Sequence, residues 1–333
     1  EINGGSIQGT GQINAAGLIL KSVNMEDSDL TCTGALTIGG TNYFKSIRFD
    51  PGAIMYVSGT ADVYPTVWDF ANGNAFKINP SGTASLVLHG SHSFVGGSVE
   101  LGSSSSLCLD INETSQIVIN NPTTLKLDSS CSYIEGTIRA ENGGSAALYN
   151  APVIGSLLAE DGSKVRLQSG TEVRGEVTSK GTGQVIGAYG TLKGVTINGD
   201  IFLDPKLKMG GEILGDFTVH FNGQPGSSHY LEMLTGGAKL LSGTSMELRF
   251  ESSSGNGFIV SAENPLRINS GATLTLTGSG AGSLGQLIND GAIVANGLNA
   301  GSLSTTTNNG TISVSNGSKL GLSGTTSNEQ GSI

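Results

Sequence analysis

Residues 124–128 read Thr-Leu-Lys-Leu-Asp, and residues 106–110 read Ser-Leu-Cys-Leu-Asp, the same pattern of apolar, any, apolar, Asp 18 residues earlier. Alternation with period 2 marks a strand that buries one of its faces. Apolar-x-apolar pairs recur outward from these two: Leu86/Leu88, Leu107/Leu109, Leu125/Leu127, Ala146/Leu148, Val165/Leu167, a weaker pair at Val185, Ile201/Leu203 and Val219/Phe221. Their starts are 21, 18, 21, 19, 20, 16 and 18 residues apart. A second column, a Gly or small polar residue just ahead of an apolar one, keeps a similar period through Gly97, Gln116, Gly136, Gly155, Gly175, Gly194 and Gly211.

A fixed period near 20 is the signature of a repeat architecture. No stretch carries the i, i+3, i+4 stripe of an amphipathic helix, and Gly and β-branched residues are too frequent for long helices. A coil of two or three short strands, each stacked on its copy in the next coil about 4.8 Å away, satisfies both columns. The expected fold is therefore all-β: a single-stranded parallel β-helix, taken as right-handed, of about 17 coils of 19–20 residues. Near the start, Leu18/Leu20, Leu36/Ile38 and Met55/Val57 keep the rhythm; near the end, "NSGATLTLTGSG" (269–280), "NDGAIVANG" (289–297) and "NNGTISVSNG" (308–317) repeat one formula. One continuous solenoid over residues 1–333 is expected, with excursions near 56–76, which holds the only Trp, and 222–237.

Composition agrees. Gly is 52 of 333 residues while Pro is only 8, and charged residues are 13% against roughly 25% in an average domain. Tight turns need Gly where φ is positive, and strands with one buried face leave little room for charge. A net charge of −10 disfavours nucleic acid and anionic lipid as partners. Apolar runs such as "GLIL" (17–20) and "GFIV" (257–260) are far too short to cross a membrane as helices, so no membrane insertion of this segment is expected. The first residues carry no signal-peptide pattern, so any secretion signal is expected to have been removed or to lie outside this sequence; the polar tail "SGTTSNEQGSI" reads as a cut end. Cys32, Cys108 and Cys131 read as three small inert side chains. Cys108 and Cys131 sit a coil apart but out of phase by the mean period, which argues against a bridge.

The ladders, with "GATLTLTG" (271–278) and "NNGTISVSNG", resemble the secreted β-helical surface proteins of bacteria: autotransporter passengers and filamentous-haemagglutinin-like adhesins. The Asn-Pro-Asn-Gly motif of the haemagglutinin-like group is absent. So are the repeated Gly-Gly-Ala-aliphatic and Phe-x-x-Asn pairs of chlamydial passengers, for which "FKIN" (76–79) is a single match. The resemblance implies an extracellular, cell-surface location and a host-cell or neighbouring-cell surface, or a glycan on it, as partner.

Three groups of residues could carry function. His89, Asp110 and Asp128 fall three positions beyond successive pair starts, hence at one coil corner. Two carboxylates about 5 Å apart would suit a polysaccharide-cleaving β-helix of the pectate-lyase or tailspike kind, although Asp at a corner more often satisfies turn backbone. Tyr56, Tyr64, Trp68 and Phe70 in the first excursion, and His229 and Tyr230 in the second, could offer ring faces to sugars. The sequons at Asn112, Asn309 and Asn316 read as incidental in a chain this rich in Asn, Ser and Thr. No cofactor or metal motif is present. The expected function is a non-enzymatic adhesin or stalk; a glycan-cleaving enzyme and a structural fibre of an envelope or virion are the alternatives.

Overall fold

The computed structural model describes residues 2–5, 7, 12–15, 17–101, 107–121, 123–128, 130–221, 229–251, 256–259 and 264–328. Every regular element among them is a strand, and every strand pairing with a stated register is parallel. The architecture is the expected parallel β-solenoid. The chain divides into two compact units: Glu1–Thr171 with Lys180–Gly183, and Glu172–Ser179 with Gln184–Ile333.

In the first unit each turn contributes strands to three faces. On one face Leu30, Ile47, Trp68, Phe94, Ile119, Ala140 and Ala159 stack rung upon rung. On the second, Leu125, Ala146 and Val165 form one ladder and Leu127, Leu148 and Leu167 another, as the sequence columns anticipate. The third carries Val63, Leu88, Ile111, Ile134 and Val153. All these side chains are buried, and burial of each large aliphatic one stabilises by roughly 1.5–3 kcal/mol.

Two expected registers shift. Leu86 stacks on Leu109 rather than Leu107, and that pair lies on the third face, not with Leu125. Turns also vary in length, from the 16 residues between Gly187 and Leu203 to the 29 between Phe221 and Phe250. Longer turns mean fewer of them: about 13 rather than 17.

The aromatic stretch at 56–76 is not an excursion over its described side chains. Apart from Tyr64 and its neighbours between them, it belongs to the strands Ile54–Val63 and Val67–Leu88, and Trp68 and Phe70 point inward. The ladders absorb their bulk by placing Gly96 level with Phe70 and tapering to Ala140 and Ala159 above Trp68. Residues 222–228 of the second stretch lie outside the described residues, and Tyr230–Leu240 is a paired strand.

Cys108 and Cys131 form a disulfide, with Cα atoms 5.1 Å apart. The mean period had put them out of phase, but this turn is 23 residues long: Asp110 pairs with Tyr133, so Cys131 falls level with Cys108. Cys32 is free and buried. Corners are tight where Gly recurs. A Cβ on Gly155 would lie 2.0 Å from the Gly136 carbonyl oxygen, and one on Gly310 equally close to that of Gly291.

In the second unit Phe217, Met246, Leu274, Ile293 and Ile312 stack on one face. On another, Ile213, Leu240 and Ile268 hand over to Asn289, Asn308 and Asn328. Asn289 and Asn308 are fully buried. The Asn289 amide donates to Asn308 Oδ1 at 2.7 Å and to the Thr311 carbonyl at 3.0 Å, while its own oxygen accepts from Gly291 N at 3.2 Å. Asn289 is tolerated inside because its amide is satisfied by the neighbouring turn and by its own corner.

Candidate functional site

The three residues expected at one corner do not meet there. Asp110 lies on the third face of the first unit and accepts from the Ser85 hydroxyl at 2.7 Å; Asp128 lies on the second and accepts from the Asn150 amide at 2.9 Å. Both therefore act as turn-to-turn rungs, and the carboxylate pair on which glycan cleavage would rest is dissolved.

His89 is built into a different array. Residues directly following the third-face strands form a corner row in which Tyr43 stacks on Tyr64 (centroids 4.3 Å, 18° between planes) and Tyr64 on His89 (4.8 Å, 18°). The Asn112 amide is 3.2 Å from His89 Nδ1, which must accept, so Nε2–H donates to Asp62 Oδ1 at 2.9 Å. Both faces of the Tyr64 ring are covered by its neighbours, and all three rings are half-buried. The corner thus offers ring edges with their polar atoms, in a fixed spacing close to the interstrand distance.

Trp68 and Phe70 cannot serve as a platform for sugars, since they are 0% and 1% exposed. Trp68 donates its Nε1–H to Nδ1 of His92 at 3.1 Å, and His92 Nε2 bonds the His89 carbonyl at 3.1 Å. Burial pushes His92 down from 6.5 to about 4, with the His89 hydrogen bond opposing. The imidazole is neutral at neutral pH. Tyr56 is half-buried on the second face between Thr37 and Asn79, away from the Tyr64 corner.

In the second unit, Tyr230 is half-buried and pairs with Lys206, which forms an ion pair with Glu232; Tyr189 lies level with Lys206, through its N–H to the Lys206 carbonyl, and is half exposed. His229 is buried with Nδ1 lacking a hydrogen-bond partner, and burial lowers its pKa, opposed by Asp204.

One cluster escaped the sequence reading. His220 is stacked on Phe202 at 4.4 Å and held between two carboxylates, with Nδ1 3.0 Å from Glu251 Oε1 and Nε2 3.0 Å from Asp200 Oδ1. In a hydrolytic triad one imidazole nitrogen faces the carboxylate and the other the reacting hydroxyl. Here neither nitrogen is left for a substrate. His89, His92 and His220, three of the four histidines, spend both ring nitrogens within the fold.

No protein-family model, no curated protein and no solved structure matches the chain.

Proposed function

We propose that the chain is a non-enzymatic extracellular adhesin or stalk, whose solenoid presents outward-facing rows to a cell surface or its glycans. The observation that carries the reading is the Tyr43–Tyr64–His89–Asn112 row, in which three half-buried rings and an exposed amide are each held by a neighbouring turn. Groups locked before contact lose little entropy on binding, which is what a recognition surface needs. The Cys108–Cys131 bridge supports an extracellular address, because disulfides persist in oxidising compartments. Commitment of the His89, His92 and His220 imidazoles and of Asp110 and Asp128 to structural bonds supports a surface over a catalyst.

The test is binding of labelled protein to intact cells and to a glycan panel, beside a Tyr43→Ala/Tyr64→Ala variant whose Trp68 emission is unchanged. Binding that the variant loses at least tenfold supports the reading; binding by both proteins alike moves the surface elsewhere. Release of reducing ends from any polysaccharide in the panel overturns it.

A further inference from the structure

The sequence contains five Asn-x-Ser/Thr triplets, at Asn79, Asn112, Asn121, Asn309 and Asn316, and the first and third of these carry Pro in the middle position, which blocks them as acceptors. The three competent triplets share a structural position. Asn112, Asn309 and Asn316 are all exposed, each at a corner beside a strand: after Leu107–Ile111, before Thr311–Ser315 and after it. Each amide nitrogen uses a hydrogen on the turn before: Asn112 toward His89 Nδ1 at 3.2 Å, Asn309 toward Asp290 Oδ1 at 2.8 Å, Asn316 toward Asn296 Oδ1 at 2.5 Å. An amide nitrogen has two hydrogens. One can therefore be replaced by a substituent while the other keeps the rung, and the exposed corner leaves the substituent in solvent.

A second observation points to the same compartment. The Cys108–Cys131 bridge fits passage through an oxidising space, where amide glycosylation of secreted chains also takes place. We infer that Asn112, Asn309 and Asn316 are attachment sites for N-linked glycans. In the transfer, the side-chain nitrogen bonds to C1 of a sugar activated by a phosphate-linked leaving group. The C1–O bond breaks with its electron pair going to the phosphate, the nitrogen loses one proton, and no oxidant or reductant is involved. Asn112 is the last member of the proposed recognition row, next to His89, so a glycan there lies within that row. The inference rests on the extracellular reading made above.

The experiment uses the protein secreted by its own source cells. Intact mass and peptide mapping are measured before and after enzymatic release of N-glycans in heavy-oxygen water, which converts an occupied Asn to labelled Asp. Label at any of Asn112, Asn309 or Asn316, with Asn79 and Asn121 bare, supports the inference. All three bare, or label at the Pro-blocked positions, overturns it. Thiol alkylation of the same sample separates the two readings. With only Cys32 alkylated after unfolding, bare Asn residues defeat the glycan inference alone; with three free thiols, the extracellular reading falls as well. For acceptor competence, the chain is secreted from cultured animal cells as wild type and with Asn112→Gln, Asn309→Gln or Asn316→Gln. Each variant should lose one glycan mass, and no loss in any of them also overturns the inference.

Discussion

His92 gives a quantitative test of the core. Its imidazole is fully buried against Trp68 and is held neutral by desolvation, at about 4 against the ordinary 6.5. The unfolded chain takes up a proton as pH falls through 6.5, whereas the folded chain does so only near 4. Stability is therefore fully present above 6.5 and is lost as pH falls from there toward 4. At 1.36 kcal/mol per pH unit the full loss is about 3 kcal/mol, of which about 2.4 kcal/mol should appear between pH 7 and 4.5. Carboxylates titrate over part of the same range, so the perturbation must be differential. His92→Gln keeps an acceptor for Trp68 Nε1–H and a donor for the His89 carbonyl but cannot be protonated. Guanidinium melting followed by Trp68 emission, at pH 7 and 4.5 for both proteins, gives the double difference. The wild type should lose about 2.4 kcal/mol more than the variant, and an equal loss in both would refute the assignment of His92 as a buried neutral rung.

Other outcomes follow from the same ladders. Cys108→Ser removes a link across 23 residues, worth about 3 kcal/mol by loop closure, and should lower the urea midpoint; in the wild type only Cys32 should be alkylated, and only after unfolding. Gly155→Ala would press a methyl against the Gly136 carbonyl and should cost upwards of 2 kcal/mol, whereas Gly243→Ala, with φ +84 and open space, should cost about 1 kcal/mol from backbone strain alone; thermal melts of the two decide between clash and dihedral. Leu148→Ala, in the middle of a buried ladder, should cost 2–5 kcal/mol in a denaturant melt.

The class of fold was legible because the short strands alternate and two sequence columns keep a similar period of about 20 residues. Which face a strand belongs to was not legible, since all three faces carry the same apolar-x-apolar pattern. Leu86 and Leu125 look alike in sequence and stack on different neighbours. Spacing failed wherever a turn departed from the mean. The 23-residue step concealed the Cys108–Cys131 bridge, and the 29-residue step concealed the approach of Glu251 to His220. Trp68 and Phe70 were misplaced for a different reason. Large rings suggest an irregular loop when the core is assumed narrow, but neighbouring rungs vary in size to accept them. Tyr64 and His89 were picked out individually, and only the register brings them together over Asp62.

The bridge between neighbouring turns has a mechanical consequence. A β-solenoid pulled from its two ends unravels by peeling, and each turn that peels away lengthens the chain and dissipates work. The residues between Cys108 and Cys131 cannot take part while the bond is intact. About 80 Å of contour, at 3.3–3.6 Å per residue, is withheld from extension. Pulled singly, the oxidised chain should come up short by that length, and adding a reductant should restore it; the bond acts as a stop on how far the chain can extend.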